Sequence, residues 1–188
     1  MGGTFDPIHN AHLMKASAAA CRLGLDGVVL VPAGRPRQKT PRASAAQRLA
    51  MTAAATGSNP LFSVSRMEID RPGPAYTVET LRELRRWMGS GTDLFFIAGA
   101  DVIGQLSTWR EYEALASLAH FVFCSRPGYP WLESGLPAER VTLVTVPEWD
   151  ISSALIRRRV RHGQPIQYLV PDPVADFVAE HRLYRSAK

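Results

Sequence analysis

Cysteine is scarce in this 188-residue chain, which has only Cys21 and Cys124. Two thiols exclude the disulfide framework of a small secreted protein, and their spacing does not fit a cysteine metal site. No apolar run is long enough to span a bilayer, and the first residues lack the basic start and apolar stretch of a secretory signal. We therefore expect a cytoplasmic protein with two buried, reduced thiols and no membrane partner.

Aromatic residues rarely accompany the basic ones, although the charge balance is strongly basic. The net charge is +5 and the sequence pI is near 9.6, which favours an anionic partner. Without interleaved aromatic side chains there is no stacking platform for bases, so we expect no nucleic-acid partner. The arginine-rich run 157–161 keeps a nucleic-acid-binding module as an alternative, whose affinity would fall steeply with salt.

Apolar runs alternate with helical patterns along the chain, without repeats or a low-complexity linker. The runs 28–31, 93–98, 120–124 and 141–146 are typical of buried parallel strands. Capping patterns begin helices at Ser44, Thr77, Thr108 and Ser152 or Ser153; other helices are predicted at 13–23 and after Pro173. This alternation predicts a single α/β domain over 1–188, a Rossmann-like doubly wound parallel sheet with a small helical C-terminal part at about 150–188.

The sequence lacks an apolar strand before its glycine-rich start. A phosphate-binding loop should follow a strand, yet only Met1 precedes Gly2. We therefore expect the first strand of the sheet to be missing, with a longer natural protein carrying it upstream. Its loss would expose neighbouring strand edges and lower stability.

The first motif with chemical meaning is the run 2–12, Gly-Gly-Thr-Phe-Asp-Pro-Ile-His-Asn-Ala-His. Two glycines allow the backbone to approach a phosphate closely. His9 and His12 lie three residues apart, so both can face one ligand from the start of a helix, where anions are favoured. Phosphate contact is the favoured interpretation. A metal site and packed structural histidines are the alternatives, and Asp6 is the nearest acidic residue.

The second motif is the run 151–157, Ile-Ser-Ser-Ala-Leu-Ile-Arg. The hydroxyls of Ser152 and Ser153 and the free amides at a helix start form an anion site, and Arg157 lies one turn further along. Alone, the run is more simply an ordinary helix cap with a solvated basic face. Its occurrence together with the first motif, at the opposite end of the chain, is far more specific.

These two motifs resemble those of the nucleotidyltransferase superfamily with the (H/T)xGH motif. The resemblance implies that His9, His12 and Arg157 act on the triphosphate of ATP in catalysis. It implies ATP binding by a larger set of residues, namely Gly2, Gly3, Thr4, Phe5, Asp101, Ser152 and Ser153. Ala11 replaces the family's glycine, Ala154 replaces its threonine, and Gln38 replaces a histidine in a proline-rich loop.

Further matches resemble the bacterial nicotinate-mononucleotide adenylyltransferases over nearly the whole chain. They imply that ATP and a pyridine mononucleotide are the partners, with substrate binding by Lys39, Thr77, Trp109 and Arg126. Mg²⁺ is expected as a cofactor carried mainly by the ATP phosphates, without a metal site of protein ligands. A pantetheine-phosphate adenylyltransferase or a weakly active nucleotide-binding paralogue are the alternatives. The sequence leaves open acid or amide preference on the pyridine and a homo-oligomer.

Overall fold

Strands and helices alternate in a computed structural model that describes residues 1–37 and 39–185. The strands are β1 (Gly2–Gly3), β2 (Val28–Pro32), β3 (Phe62–Val64), β4 (Phe95–Gly99), β5 (His120–Cys124) and β6 (Val141–Val144). The α-helices are α1 (Asn10–Leu23), α2 (Ala45–Thr56), α3 (Met67–Asp70), α4 (Thr77–Met88), α5 (Leu115–Leu118), α6 (Ser153–Arg161) and α7 (Asp172–Glu180). Short 3-10 helices cover Ala100–Thr108, Tyr112–Ala114 and Ala138–Arg140.

All the paired strands run parallel, as the sequence predicts. Hydrogen bonds join them in the orders β1-β2-β3 and β4-β5-β6. Because β1 also contacts β4, the two sets lie side by side in the order 3-2-1-4-5-6 of a doubly wound sheet. In the described part of the chain, no helix is both long and apolar enough to cross a membrane.

The sheet separates two hydrophobic cores, and β5 shows how the sequence builds both. Phe121 and Phe123 belong to the core that includes α4, whereas Val122 and Cys124 belong to the core that includes α1, α6 and α7. Successive side chains of a strand point to opposite faces, so a continuous apolar run is buried on both sides. Helices therefore cover both faces, and the loops at the carboxyl ends of the strands remain open to a ligand.

Several predictions from local sequence patterns are wrong because contacts with distant segments override those patterns. Thr108–Glu111 does not begin a helix, because Trp109 is extended and the Glu111 carboxylate pairs with Arg82 at 2.5 Å. Tyr76 is the N-cap of α4, and Thr77 is its first residue. Strand β3 and helix α3 were not predicted from the sequence. Cys124 is buried as expected, but Cys21 is exposed on α1, which corrects its predicted burial. The replacement at Gln38 lies outside the described residues.

The first strand of the sheet, which the sequence predicted to be missing, is present as a strand of two residues. Gly2 and Gly3 of β1 pair with Val31 and Pro32 of β2. The amino group of Met1 donates to the Val29 carbonyl at 2.8 Å, and the Val31 amide donates to the Met1 carbonyl at 2.9 Å. This strand places the glycine-rich loop at the middle of the sheet, although it is too short to pair with the whole of β2.

Gly34 permits a close approach between the loop after β2 and helix α3. A Cβ atom at this position would overlap the backbone carbonyl of Glu68, which cannot move away as a side chain can. The Gly34 carbonyl also accepts a hydrogen bond from the buried Arg48 at 3.1 Å. The absence of a side chain therefore fixes the path of a loop that leads into the cleft described below.

We predict that Gly34→Ala lowers the free energy of unfolding by about 2–3 kcal/mol, because the added methyl group meets rigid backbone. Urea denaturation measures the loss. Gly57→Ala is the matched control, since a Cβ there lies 3.6 Å from the nearest atom in right-handed helical backbone. Equal stability of Gly34→Ala and the wild-type protein would contradict the close approach.

Candidate active site

The rings of His9 and His12 stack on one another at the start of α1. Their centroids lie 3.6 Å apart with an interplanar angle of 22°. His9 is the N-cap residue, and its backbone amide donates to Nδ1 of His12 at 3.3 Å. Since that nitrogen accepts, the neutral His12 ring carries its proton on Nε2, where it is a donor. The pair is therefore arranged by the helix start that the sequence predicts.

Both histidines are neutral in the free protein near pH 7. Burial, followed by the charges of Lys15 and Arg126, lowers the pKa of His9 to about 3. Burial also holds the pKa of His12 well below its usual range, with further contributions from His9, Lys15, Arg126 and Lys39. In this state each ring is a hydrogen-bond donor and acceptor without charge. Desolvation and the nearby cations disfavour the protonated form of both rings.

The Asp6 carboxylate ties the glycine-rich loop to three other segments. It accepts hydrogen bonds from the Arg42 amide at 2.8 Å, the Ala43 amide at 3.0 Å and the Tyr184 hydroxyl at 2.9 Å. Arg157 lies 3.7 Å from the same carboxylate and donates to the Asp6 carbonyl at 2.7 Å. Asp6 is only 4% exposed, so these partners replace the water that a buried charge needs.

Helix α6 brings the second motif against the first. Ser152 caps the helix by accepting from the Leu155 amide at 3.2 Å, while the Ser153 hydroxyl donates to the Pro7 carbonyl at 2.8 Å. Both hydroxyls thus have partners in the protein, and ATP binding by Ser152 and Ser153 stays a prediction. The amides of Ser153 and Ala154 lie in the first turn, where a helix offers its donors to an anion.

The loop that carries Gly2, Gly3, Thr4 and Phe5 rests on buried groups. Arg48 donates to the Thr4 carbonyl at 2.8 Å and is only 1% exposed. Phe5 has a positive φ of 49° and is buried, and its ring packs edge-on against His12. Phe5 therefore supports the His12 ring by packing against it. Gly2, Gly3 and Thr4 line the cleft itself.

The residues predicted for the second substrate line the same cleft. Trp109 is half-buried and packs edge-on against Phe96, and Arg126 donates to the Asp101 carboxylate at 2.5 Å. The cleft also contains Lys39 and Thr77. Except for Phe5, every predicted site residue thus lines one large cleft, which extends from the loops at the carboxyl ends of the strands to residues at the amino ends of β2 and β4, such as Gly27 and Asp93.

The predictions from the sequence do not include three features of the site: Lys15, Arg110 and the structural role of Asp6. Lys15 and Arg110 line the cleft, and the Arg110 guanidinium lies 4.6 Å from the ring centre of Tyr76. The three-residue spacing from His9 to His12 continues to Lys15, which was a usable signal. Nothing local in the sequence signals that Asp6 would bind segments far along the chain.

The family model described as cytidylyltransferase-like matches residues 1–159. A relative named "Probable nicotinate-nucleotide adenylyltransferase" from Streptomyces coelicolor is 53% identical over 98% of this chain and 99% of its own length. One of the same name from Salinispora arenicola is 50% identical over 98% of this chain and all of its own length. The chain belongs to this family, and within it to the nicotinate-nucleotide adenylyltransferases.

Solved structures of similar proteins share the fold of this family member. Nicotinic acid mononucleotide adenylyltransferase from Plasmodium falciparum, complexed with NaAD, has a TM-score of 0.82 at 18% identity and covers 97% of this chain and 94% of its own. A protein named "Putative Nicotinate-nucleotide Adenylyltransferase" from Vibrio parahaemolyticus has a TM-score of 0.70 at 18% identity and covers 99% of this chain and 93% of its own. At this identity the likeness concerns the fold.

The C-terminal part of this adenylyltransferase lies beyond the matched residues 1–159, yet it contacts the histidine loop. The Asn10 amide donates to the Leu169 carbonyl at 2.9 Å, and its side chain donates to the Tyr168 carbonyl at 2.7 Å. With the Tyr184 hydroxyl on Asp6, these bonds hold the start of α1 from a second side. The helical C-terminal part is therefore part of the site's support.

We predict that Asp6→Asn lowers the free energy of unfolding by about 3 kcal/mol, because a buried acceptor of several donors is replaced by a group that is partly a donor. Tyr184→Phe, which removes one hydroxyl, should cost only about 1 kcal/mol. Urea denaturation of both variants gives the comparison. A loss for Asp6→Asn no larger than that for Tyr184→Phe would show that the carboxylate has no organising role.

We predict that the two neutral histidines make stability fall as pH decreases below about 6.5. The unfolded chain then binds protons that the native rings do not, so stability is lost from the ordinary histidine pKa downward towards about pH 3. Each histidine contributes at most about 1.4 kcal/mol per pH unit. Urea denaturation at pH 7.5, 6 and 5 measures this slope. His9→Asn should have a shallower slope, and an unchanged slope would contradict the lowered pKa.

Proposed function

We propose that this chain transfers the adenylyl group of ATP to nicotinate mononucleotide, producing nicotinate adenine dinucleotide and pyrophosphate for NAD biosynthesis. The proposal is supported most strongly by the junction of the two motifs. Ser153 bonds to Pro7 and Arg157 bonds to Asp6, so the histidine loop and the start of α6 face one cleft. The names of the curated relatives supply the identity of the substrates.

The phosphate of the mononucleotide is the nucleophile in this reaction, and it attacks the α-phosphorus of ATP. A phosphate monoester is already largely ionised at pH 7, because its second pKa is near 6. The reaction therefore needs no general base, which agrees with histidines whose pKa values are lowered. Proton transfer is not the source of acceleration here.

Positioning and charge stabilisation supply the acceleration. Holding two reactants in line can remove roughly 7–11 kcal/mol of the barrier, and one well-placed donor to developing charge adds about 2.7–4 kcal/mol. We propose that His9, His12 and Arg157, with the first amides of α6, contact the triphosphate. Asp101 suits a ribose diol, while Trp109, Thr77, Arg126 and Lys39 would hold the pyridine nucleotide.

Mg²⁺ is proposed to enter bound to ATP. The described residues include no group of three or more histidine, cysteine, aspartate or glutamate side chains that could hold a metal ion. Mg²⁺ carried by ATP would neutralise part of the charge of the phosphate groups. His9, His12 and Arg157 would then contact the phosphate oxygens. We also propose that the enzyme acts in the cytoplasm.

Pyrophosphate release by the purified protein with ATP and Mg²⁺ tests the function. Nicotinate mononucleotide, nicotinamide mononucleotide and phosphopantetheine are supplied in parallel. We expect turnover with nicotinate mononucleotide and much slower release with the other two. Turnover with phosphopantetheine alone would assign the other adenylyltransferase activity, and nucleotide binding without release in all three would support a weakly active paralogue.

We predict that His12→Ala lowers kcat by about 100–1,000-fold, because a donor to the developing phosphate charge is lost. Thermal denaturation should change little by comparison. His162→Ala is the control, since His162 is an exposed histidine outside the cleft. Equal kcat values for the two variants would remove His12 from the reaction.

A further inference from the structure

Lys15 lies on α1 one turn after His12, on the face that already carries the two histidines. Its half-buried side chain lines the cleft. A Cβ atom at Gly99, the last residue of β4, would lie 3.1 Å from Lys15 Nζ and would overlap the Asp101 carboxylate. The ammonium group therefore sits over the carboxyl end of β4, and the glycine leaves the room that it occupies.

Lys15 has no close ion-pair partner among the described residues. The Asp101 carboxylate, which raises the pKa of Lys15, accepts a hydrogen bond from Arg126. Among the described residues no carboxylate lies within 4.0 Å of Lys15 Nζ. The other titratable or charged groups that act on this region are the two histidines on α1, the Cys124 thiol on β5, Arg126 after β5 and Lys39 after β2.

A partly desolvated ammonium without a close anion is unfavourable, and a second cation nearby makes it more so. Burial and the Arg126 charge accordingly lower the pKa of Lys15, while Asp101 opposes them. The same position becomes favourable when a phosphate group enters between Lys15 and the histidines. A bound anion also supplies an acceptor for an ammonium that has three donors.

We propose that Lys15 binds a phosphate oxygen of the nucleotides in this cleft, as a cationic group beside the rings of His9 and His12. This inference rests on the proposed function, because it assumes that the cleft holds a nucleotide phosphate. In the free protein, burial is the main cause of the lowered pKa values of His9 and His12, and the Lys15 charge lowers them further. Lys15 thus contributes both to binding and to the protonation state of its neighbours.

Calorimetric titration with inorganic pyrophosphate tests the proposal without requiring turnover. Lys15→Met should bind pyrophosphate about 10–100-fold more weakly, since a charge-assisted hydrogen bond contributes about 1.5–3 kcal/mol. Lys15→Arg should retain most of the affinity. Arg22→Met is the matched control, because Arg22 is an exposed cation near the end of the same helix and outside the cleft. Lys15→Gln gives the same readout if Lys15→Met does not fold.

Histidine titration by NMR supplies a second readout that a purely structural lysine would not move. Removing the Lys15 charge should raise the pKa values of His9 and His12, whereas Arg22→Met should leave them unchanged. Wild-type affinity for pyrophosphate in Lys15→Met would overturn the proposal. If wild-type protein binds pyrophosphate but does not turn over nicotinate mononucleotide, the proposed function fails while the result for Lys15 still stands.

Discussion

The buried carboxylate of Asp6 organises the site, because it is the acceptor on which separate segments converge. Its partners lie in the loop before α2 and near the C-terminus, and Arg157 of α6 approaches the same residue. Hydrogen bonds to a charged acceptor are worth more than neutral ones, and a buried charge left without them is costly. The hydrogen bonds that stabilise the Asp6 carboxylate therefore also hold the two motifs at a fixed distance from each other.

Because Asp6 holds the two motifs together, the cleft can act through hydrogen-bond donors and does not need a charged catalytic acid or base. The start of α6 offers the backbone amides of Ser153 and Ala154 to the cleft, and the histidines beside it are neutral. Adenylyl transfer needs an ionised phosphate held in line and charge stabilisation around the α-phosphorus. A preformed group of donors meets both needs, since it requires little rearrangement at the moment of reaction.

The fold and much of the site could be predicted because their signals are local. Buried parallel strands show as apolar runs, and the Ser44 capping box forms as its spacing predicts. The helix start predicted at Thr108 is wrong because the Glu111 carboxylate pairs with Arg82 of α4. Asp6 could not be assigned its role for the same reason, since its partners are up to 178 residues away. The three-residue spacing that continues to Lys15 is a local signal, but the position of its ammonium group over the end of β4 depends on the tertiary fold.

We propose that the histidine loop and the start of α6 form one triphosphate site, and a crystal structure with a non-hydrolysable ATP analogue and Mg²⁺ is the decisive measurement. We expect phosphate oxygens within hydrogen-bond distance of both the histidine pair and the first-turn amides of Ser153 and Ala154. A triphosphate bound at only one of the two motifs, or outside this cleft, would contradict it.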